Sequence, residues 1–372
     1  MEAAIHEPAF HQVGEHFFAG YKVFDDAKMI ILDANILIKL KNWITDGIGA
    51  APQEIIHTMN LIRSKVIHFN LSAVEASWPH ETNAMKNVSD YQSPNSGRIN
   101  VFDSILLNIS HLNSVDFQSL CSGSFEKTHL LRNPKMKTKK PEIAELSTSE
   151  YSQLILSTWA SVILLIKEAK TRPLQINPLD SKSKLNDTVI EQVSAYKKWR
   201  RKMVGLGLPI NEEIATVSQM LFFHGKLAGP KNTLVDAIDL LKINKLSEFG
   251  ILKLSRNIAF DFTLLTLGRE FRNGVLNGQI KIPPVPTSLL TGDSDLVALA
   301  SNVTGEVFIP APTPGRFVGT VAIAHAWPLG DNLLQIMGEG VAQEVLFKNF
   351  RSPMDIPERE DLIPLLEKLS RE

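Results

Sequence analysis

The sequence has a single cysteine, Cys121, in 372 residues. One thiol excludes an internal disulfide framework and any cysteine-rich zinc site, and it suits a reducing compartment. An excess of charge of one sign is missing too: 39 Lys and Arg oppose 40 Asp and Glu, a formal net of −1. Contact with nucleic acid would therefore need local basic patches, since there is no global positive field. Long hydrophobic runs are absent. The most apolar window, 154–166, is broken by Ser157, Thr158 and Ser161 and falls short of the ~20 residues of a membrane span. The opening MEAAIHEPAF is acidic and lacks the apolar stretch of a signal peptide. No internal repeat or low-complexity tract interrupts the chain. These absences lead us to expect a cytoplasmic protein with no membrane partner.

What is present is a composition of 44% apolar and 21% charged residues, enough for one large core or two ordinary ones. MIIL (29–32) reads as a short buried strand and 36–44 as the beginning of a helix. PQEIIHTMNLIRSK (52–65) has helical periodicity, VIHFNLS (66–72) reads as a second strand, and AVEASW (73–78) follows at once. Strand–helix–strand over this length predicts a βαβ unit with a parallel sheet. From 79 to 250 the chain changes character, and we expect a mostly helical insertion with helices at 149–169, 185–203 and 232–243. The α/β pattern returns with a helix at 256–268, a strand at 288–290, a helix after the acidic turn and a final strand at 306–310. Helices at 332–350 and 358–370 close the chain. The expected organisation is an N-terminal extension (1–28), an α/β core (29–78 and 251–312), the insertion (79–250) and a C-terminal helical extension (313–372).

Carboxylates recur at strand ends and on nearby helices: Asp33, Glu75, Asp261 and Asp293, with Asp295 beside the last. In a parallel sheet the C-terminal strand ends open onto one crevice, so these acids, distant in sequence, would converge there. Converging carboxylates repel one another, and a hard divalent ion, Mg²⁺ or Mn²⁺, removes that penalty. One or two such ions can activate water and stabilise the leaving oxygen of a phosphodiester. Each acid also has an ordinary reading taken singly. Asp33 suits a helix N-cap, Glu75 and Asp261 suit solvated helix positions, and GDSD suits a turn capping the next helix. Asn35 and Thr291 are candidate supporting groups, Asn35 as a donor to a carboxylate and Thr291 as a guide for the attacking water; simple capping is the alternative for both.

LDANILI (32–38), LSAVEASW (71–78), NIAFDFTLL (257–265) and LLTGDSDLVALA (289–300) together resemble the four acidic motifs of the PIN-domain family of metal-dependent nucleases, in the family's order. The resemblance implies a three-layer α/β/α sandwich around a central parallel sheet. It also implies a metal-dependent nuclease, with an endoribonuclease favoured over a DNA-cutting enzyme. Asp33, Glu75, Asp261 and Asp293 would be catalytic, and with Asp295 they would hold Mg²⁺ or Mn²⁺. The interval between Glu75 and Asp261 is much longer than compact family members use. Asp236 and Asp239 in LVDAIDLL are therefore rivals for the third position. A catalytically silent PIN-like scaffold that binds nucleic acid or a protein is the alternative, and a structure-specific DNA nuclease is a third. GDSD also resembles the last motif of haloacid-dehalogenase phosphatases, but Asn35 and Val297 stand where that family needs acids.

A nuclease needs cations and aromatic faces for the backbone and bases. YKKWRRKM (196–203) offers Lys197, Lys198, Trp199, Arg200, Arg201 and Lys202, and RNPKMKTKK (132–140) offers Arg132, Lys135, Lys137, Lys139 and Lys140. Both stretches are equally readable as solvated basic faces. RNA is the expected partner, and an inhibitory or assembly protein a possible second one.

Overall fold

A computed structural model describes residues 10–20, 27–77, 96–132, 148–171, 182–208, 210–223, 226–273, 275–276, 279–280, 284–302, 307–310, 317–320, 325–326 and 359–371. The described chain is mixed α/β and mostly helical. Its strands are β1 (Phe10–Val13), β2 (His16–Gly20), β3 (Met29–Leu32), β4 (Val66–His68), β5 (Lys226–Ala228), β6 (Leu234–Val235), β7 (Val275–Leu276), β8 (Gln279–Ile280), β9 (Thr287–Thr291), β10 (Val307–Pro310), β11 (Phe317–Thr320) and β12 (His325–Ala326). The helices are α1 (Ala34–Asp46), α2 (Gln53–Ser64), α3 (Asn70–Ser77), α4 (Ser96–Ser110), α5 (Ser114–Ser122), α6 (Thr148–Thr171), α7 (Lys182–Gly205), α8 (Glu212–Phe223), α9 (Ala237–Leu240), α10 (Leu246–Asn273), α11 (Ser294–Asn302) and α12 (Arg359–Arg371).

Five strands form one sheet in the order β1-β2-β9-β3-β4. β3 runs parallel to both β4 and β9, pairing Ile31 with His68 and Leu32 with Leu290. This parallel core carries the expected βαβ unit. The sheet as a whole is mixed, because β1 and β2 form a hairpin and β2 lies antiparallel to β9. The segment read as an N-terminal extension thus adds two strands. Gly14, at φ +59, permits the two-residue reversal between Val13 and His16, a conformation that costs glycine little.

β3 is apolar at every position because it is covered on both faces, the pattern of a central parallel strand. Ile30 and Leu32 pack with α1, α2, α4 and α5, whereas Met29 and Ile31 pack with α6, α8, α10 and α12. The helices read as an insertion therefore share the two hydrophobic clusters of the sheet. Each buried aliphatic side chain of this kind contributes roughly 1.5–3 kcal/mol. α10 comes close to β3 at Gly268, where an added Cβ would lie 3.3 Å from Ile31 Cδ1. Arg269 locks the same helix to α8 through Glu213 and, at 2.5 Å, Glu212. Trp159 Nε1 donates to Ser255 Oγ (2.8 Å), tying α6 to α10. Asp261 projects from the span between these two contacts, at Ser255 and Arg269.

Two expectations change. The segment 232–243 is not one helix: it divides into a 3₁₀ turn (Pro230–Asn232), β6, α9 and a second 3₁₀ turn (Ile243–Lys245). Asp236 and Asp239 start α9 as a reciprocal capping box, and Lys242, in the left-handed region at φ +49, ends it. β10 does form at 307–310, but it pairs with β11 and not with the five-stranded sheet. The helix expected at 332–350 lies outside the described residues, while α12 matches the one expected at 358–370.

Candidate metal centre

Asp33 occupies the N-cap position of α1, yet its side chain makes no capping hydrogen bond. Its backbone N–H instead donates to Leu290 O (3.0 Å), extending the β3–β9 ladder by one residue. The freed carboxylate turns into the crevice at the strand ends. There its Oδ2 accepts from Asn35 Nδ2 (2.6 Å) and Thr291 Oγ1 (2.5 Å). Asn35 is fixed in turn by Gly292, whose N–H donates to Asn35 Oδ1 (3.0 Å), and Thr291 Oγ1 accepts from Asp293 N–H (3.0 Å). The end of β9 thus orients the acid at the end of β3.

Glu75 arrives on α3, which Ser72 ties to the end of β3 by donating from its hydroxyl to Leu32 O. Asp261 arrives on α10. One carboxylate oxygen from each of Asp33, Glu75 and Asp261 lies within 4.8 Å of the others, a group that could hold a metal ion. Asp33 is 3% exposed, while Glu75 and Asp261 are partly exposed. Glu75 Oε2 is buried and has no hydrogen-bond partner. A buried acceptor left in this state costs free energy unless a proton or cation satisfies it. Asp236 and Asp239, the rivals for the third position, are outside this group and cap α9.

Asp293 is held differently. Its Oδ1 accepts from the N–H groups of Asp295 (2.9 Å) and Leu296 (3.2 Å) at the start of α11, and its Oδ2 takes Lys242 Nζ at 2.8 Å. Asp293 is therefore a real helix cap, the role that Asp33 declines. Lys242 Nζ also lies 3.7 Å from Asp261 Oδ2, so it links the triad to the fourth acid. Asp295 lines the adjoining cavity with Asp293 and Lys242.

Burial is the main cause that raises the affinity of the triad for protons. Glu75 is pushed well above the usual carboxylate range by burial and then by the charges of Asp261 and Asp33. Burial pushes Asp261 up to about 8, opposed by Lys242 and reinforced by Asp33 and Asp293. Asp33 is raised by burial, with the Thr291 hydrogen bond opposing. For Asp293 burial acts upward as well, but Lys242 and the backbone donors of α11 outweigh it and hold the carboxyl low. A cluster that must either keep protons or take a cation has the donor set a hard divalent ion requires.

The triad opens on a cleft of about 210 Å³ whose lining includes Asn35, Lys242, Lys253, Arg256, Asn257 and Asp293. Lys253 and Arg256 were missed from sequence. They lie eight and five residues before Asp261 on the same helix, and charge spacing on that helix was the available signal. Among the described residues, the cations read from sequence do not line this cleft. Lys197, Lys198, Arg201 and Lys202 are exposed on α7, Arg200 is partly exposed, and Arg132 is exposed after α5. Lys135, Lys137, Lys139 and Lys140 lie outside the described residues. Trp199 is corrected outright as a base-stacking candidate: it is 2% exposed, stacks on Tyr196 at 6.0 Å between ring centroids and packs on Phe222. The spacing of Tyr196, Trp199 and Met203 is a buried helical stripe.

No family model, characterised protein or solved structure compared with the chain matches it. Among the described residues, no helix is long and apolar enough to cross a membrane.

Proposed function

We propose that this chain is a divalent-metal-dependent nuclease of the PIN-like kind, acting on RNA, with a three-layer α/β/α core. The observation that carries the reading is the meeting of Asp33, Glu75 and Asp261 at one end of adjacent parallel strands, within 4.8 Å. The orphaned Oε2 of Glu75 supports a cation as the missing partner. A bound Mg²⁺ or Mn²⁺ would supply Lewis-acid chemistry, lowering the pKa of water and offsetting charge on a phosphate. The residues themselves prepare the site. Asn35 and Thr291 hold Asp33 in one orientation, Lys242 keeps Asp293 ionised, and Lys253, Arg256 and Asn257 give the cleft wall donors for a phosphate oxygen. The exposed α7 cations form a second backbone-binding surface, and the protein works in the cytoplasm.

Incubating the purified chain with labelled RNA and DNA, in Mn²⁺ or EDTA, tests the proposal beside Asp33→Asn and Glu75→Gln. The expected result is cleavage of RNA that needs Mn²⁺ and falls at least a hundredfold in either variant. Cleavage in EDTA, or full activity in Asp33→Asn, would overturn it, and a preference for DNA would replace the substrate. The pairing of Lys242 with Asp293 favours a second reading, a silent scaffold whose charge is neutralised internally. That reading predicts binding without cleavage under every condition.

A further inference from the structure

Lys242 Nζ lies between two acids with different roles: Asp293 Oδ2 at 2.8 Å and Asp261 Oδ2 at 3.7 Å. Asp261 belongs to the triad, whereas Asp293 does not. In carboxylate sites that hold two divalent ions, the ions sit about 3.5–4 Å apart and one acid faces both. Here Asp261 faces both the triad centre and an ammonium group. We infer that Lys242 takes the place of a second metal ion, so that the site holds one divalent cation and one built-in monovalent cation. The inference rests on the metal-centre reading above and fixes its stoichiometry.

Three observations support it. Asp293 Oδ1 takes two backbone N–H groups and Oδ2 takes Lys242, so an incoming ion would have to share Oδ2 with an ammonium of like charge. The backbone that carries the ammonium is also held on both sides along the chain, the Lys242 N–H donating to Asp239 O and the Lys245 N–H to Lys242 O, each at 2.9 Å. The left-handed backbone at φ +49 ends α9 and aims the side chain inward, where it is 23% exposed. Finally, the charge of the cleft favours one ion. The carboxylates of Asp33, Glu75, Asp261 and Asp293 share it with Lys242, Lys253 and Arg256. With all four acids ionised the net charge is −1, which one divalent cation offsets and a second would turn strongly positive.

Lys242 also lines both the triad cleft and a neighbouring cavity of about 440 Å³ that contains Asp239, Asn244 and Asp295. Removing the ammonium would join a second acidic compartment to the first. Lys242 is thus a positioning residue that sets the metal count.

The test is Mn²⁺ binding by the full chain, read by equilibrium dialysis and by electron paramagnetic resonance, for wild type, Lys242→Arg and Lys242→Met. We expect one ion per wild-type chain with a mononuclear signal, one ion in Lys242→Arg, and two in Lys242→Met. Two ions or a spin-coupled pair in the wild type, or a single ion in a folded Lys242→Met, would overturn this inference and leave the metal centre standing. No ion in the wild type would overturn both. Should Lys242→Met fail to fold, Lys242→Gln is read in its place, and a single ion there would overturn the inference equally.

Discussion

Replacing Asp261 by Asn is expected to stabilise the metal-free protein at neutral pH, although it removes the carboxyl group beside Lys242. The unfolded chain releases the Asp261 proton near 3.8, and the folded site holds it up to about 8. The folded state therefore binds the proton more tightly, and wild-type stability falls as pH rises between those values. At pH 7 the interval above the unfolded value is roughly three pH units, which at ~1.36 kcal/mol each sets a ceiling of ~4 kcal/mol. Asn is neutral in both states and escapes this cost. Lys242 is already contained in that raised value, and the 15% exposure of the Asp261 side chain reduces the net gain to about 2–3 kcal/mol. Urea unfolding in EDTA measures it. The gain should be near zero at about pH 4, grow through pH 7 and level off above about pH 8. Excess Mn²⁺ should then favour the wild type, by ~2.7 kcal/mol at a hundred times its Kd. An Asp261→Asn chain less stable than wild type in EDTA at pH 7 would refute the reasoning.

Other outcomes follow from the same contacts. Thr291→Val keeps the shape of the end of β9 but deprives Asp33 Oδ2 and Asp293 N–H of a partner; a loss of about 1–3 kcal/mol in urea is expected, and an unchanged midpoint would contradict it. Trp199→Ala empties a buried stripe and should cost about 3–5 kcal/mol, whereas Lys197→Ala and Lys198→Ala, at exposed positions, should stay within about 0.5 kcal/mol. Equal thermal shifts in the three variants would contradict the placement of Trp199 in the core. Gly123→Ala should destabilise by more than about 1 kcal/mol, because Gly123 sits at φ +83 and an added Cβ would lie 2.4 Å from Gly49 O; calorimetry reads this directly.

Elements set by local pattern were legible in the sequence. The apolar run 29–32, the helices α1 and α2 that follow it and the acidic turn at 293–295 all carry their own periodicity or punctuation; the second strand reads as 66–72 in sequence, whereas it ends at His68 and Asn70 already begins α3. The three acids that meet were legible only as members of a set, through the resemblance of their four motifs, since Glu75 and Asp261 taken singly look solvated; Asp293 and Asp295, named with them, stand outside the triad. Features that depend on pairing across the chain were not legible. The hairpin of β1 and β2 has a readable turn at Gly14, but its attachment to β9 is visible only in the fold. Lys242 has no signature at all: a lysine after LL in a helical pattern looks solvated until the left-handed turn directs it between Asp261 and Asp293. Trp199 was misread because its basic neighbours drew attention away from the buried spacing of Tyr196, Trp199 and Met203.

The central claim is that Asp33, Glu75 and Asp261 hold a divalent ion, and anomalous diffraction from crystals of the full chain soaked in Mn²⁺ tests it most directly. The account predicts one anomalous peak among the three carboxylates, with Lys242 still between Asp261 and Asp293. Absence of a peak there at saturating Mn²⁺, or a peak confined to other residues, would contradict it.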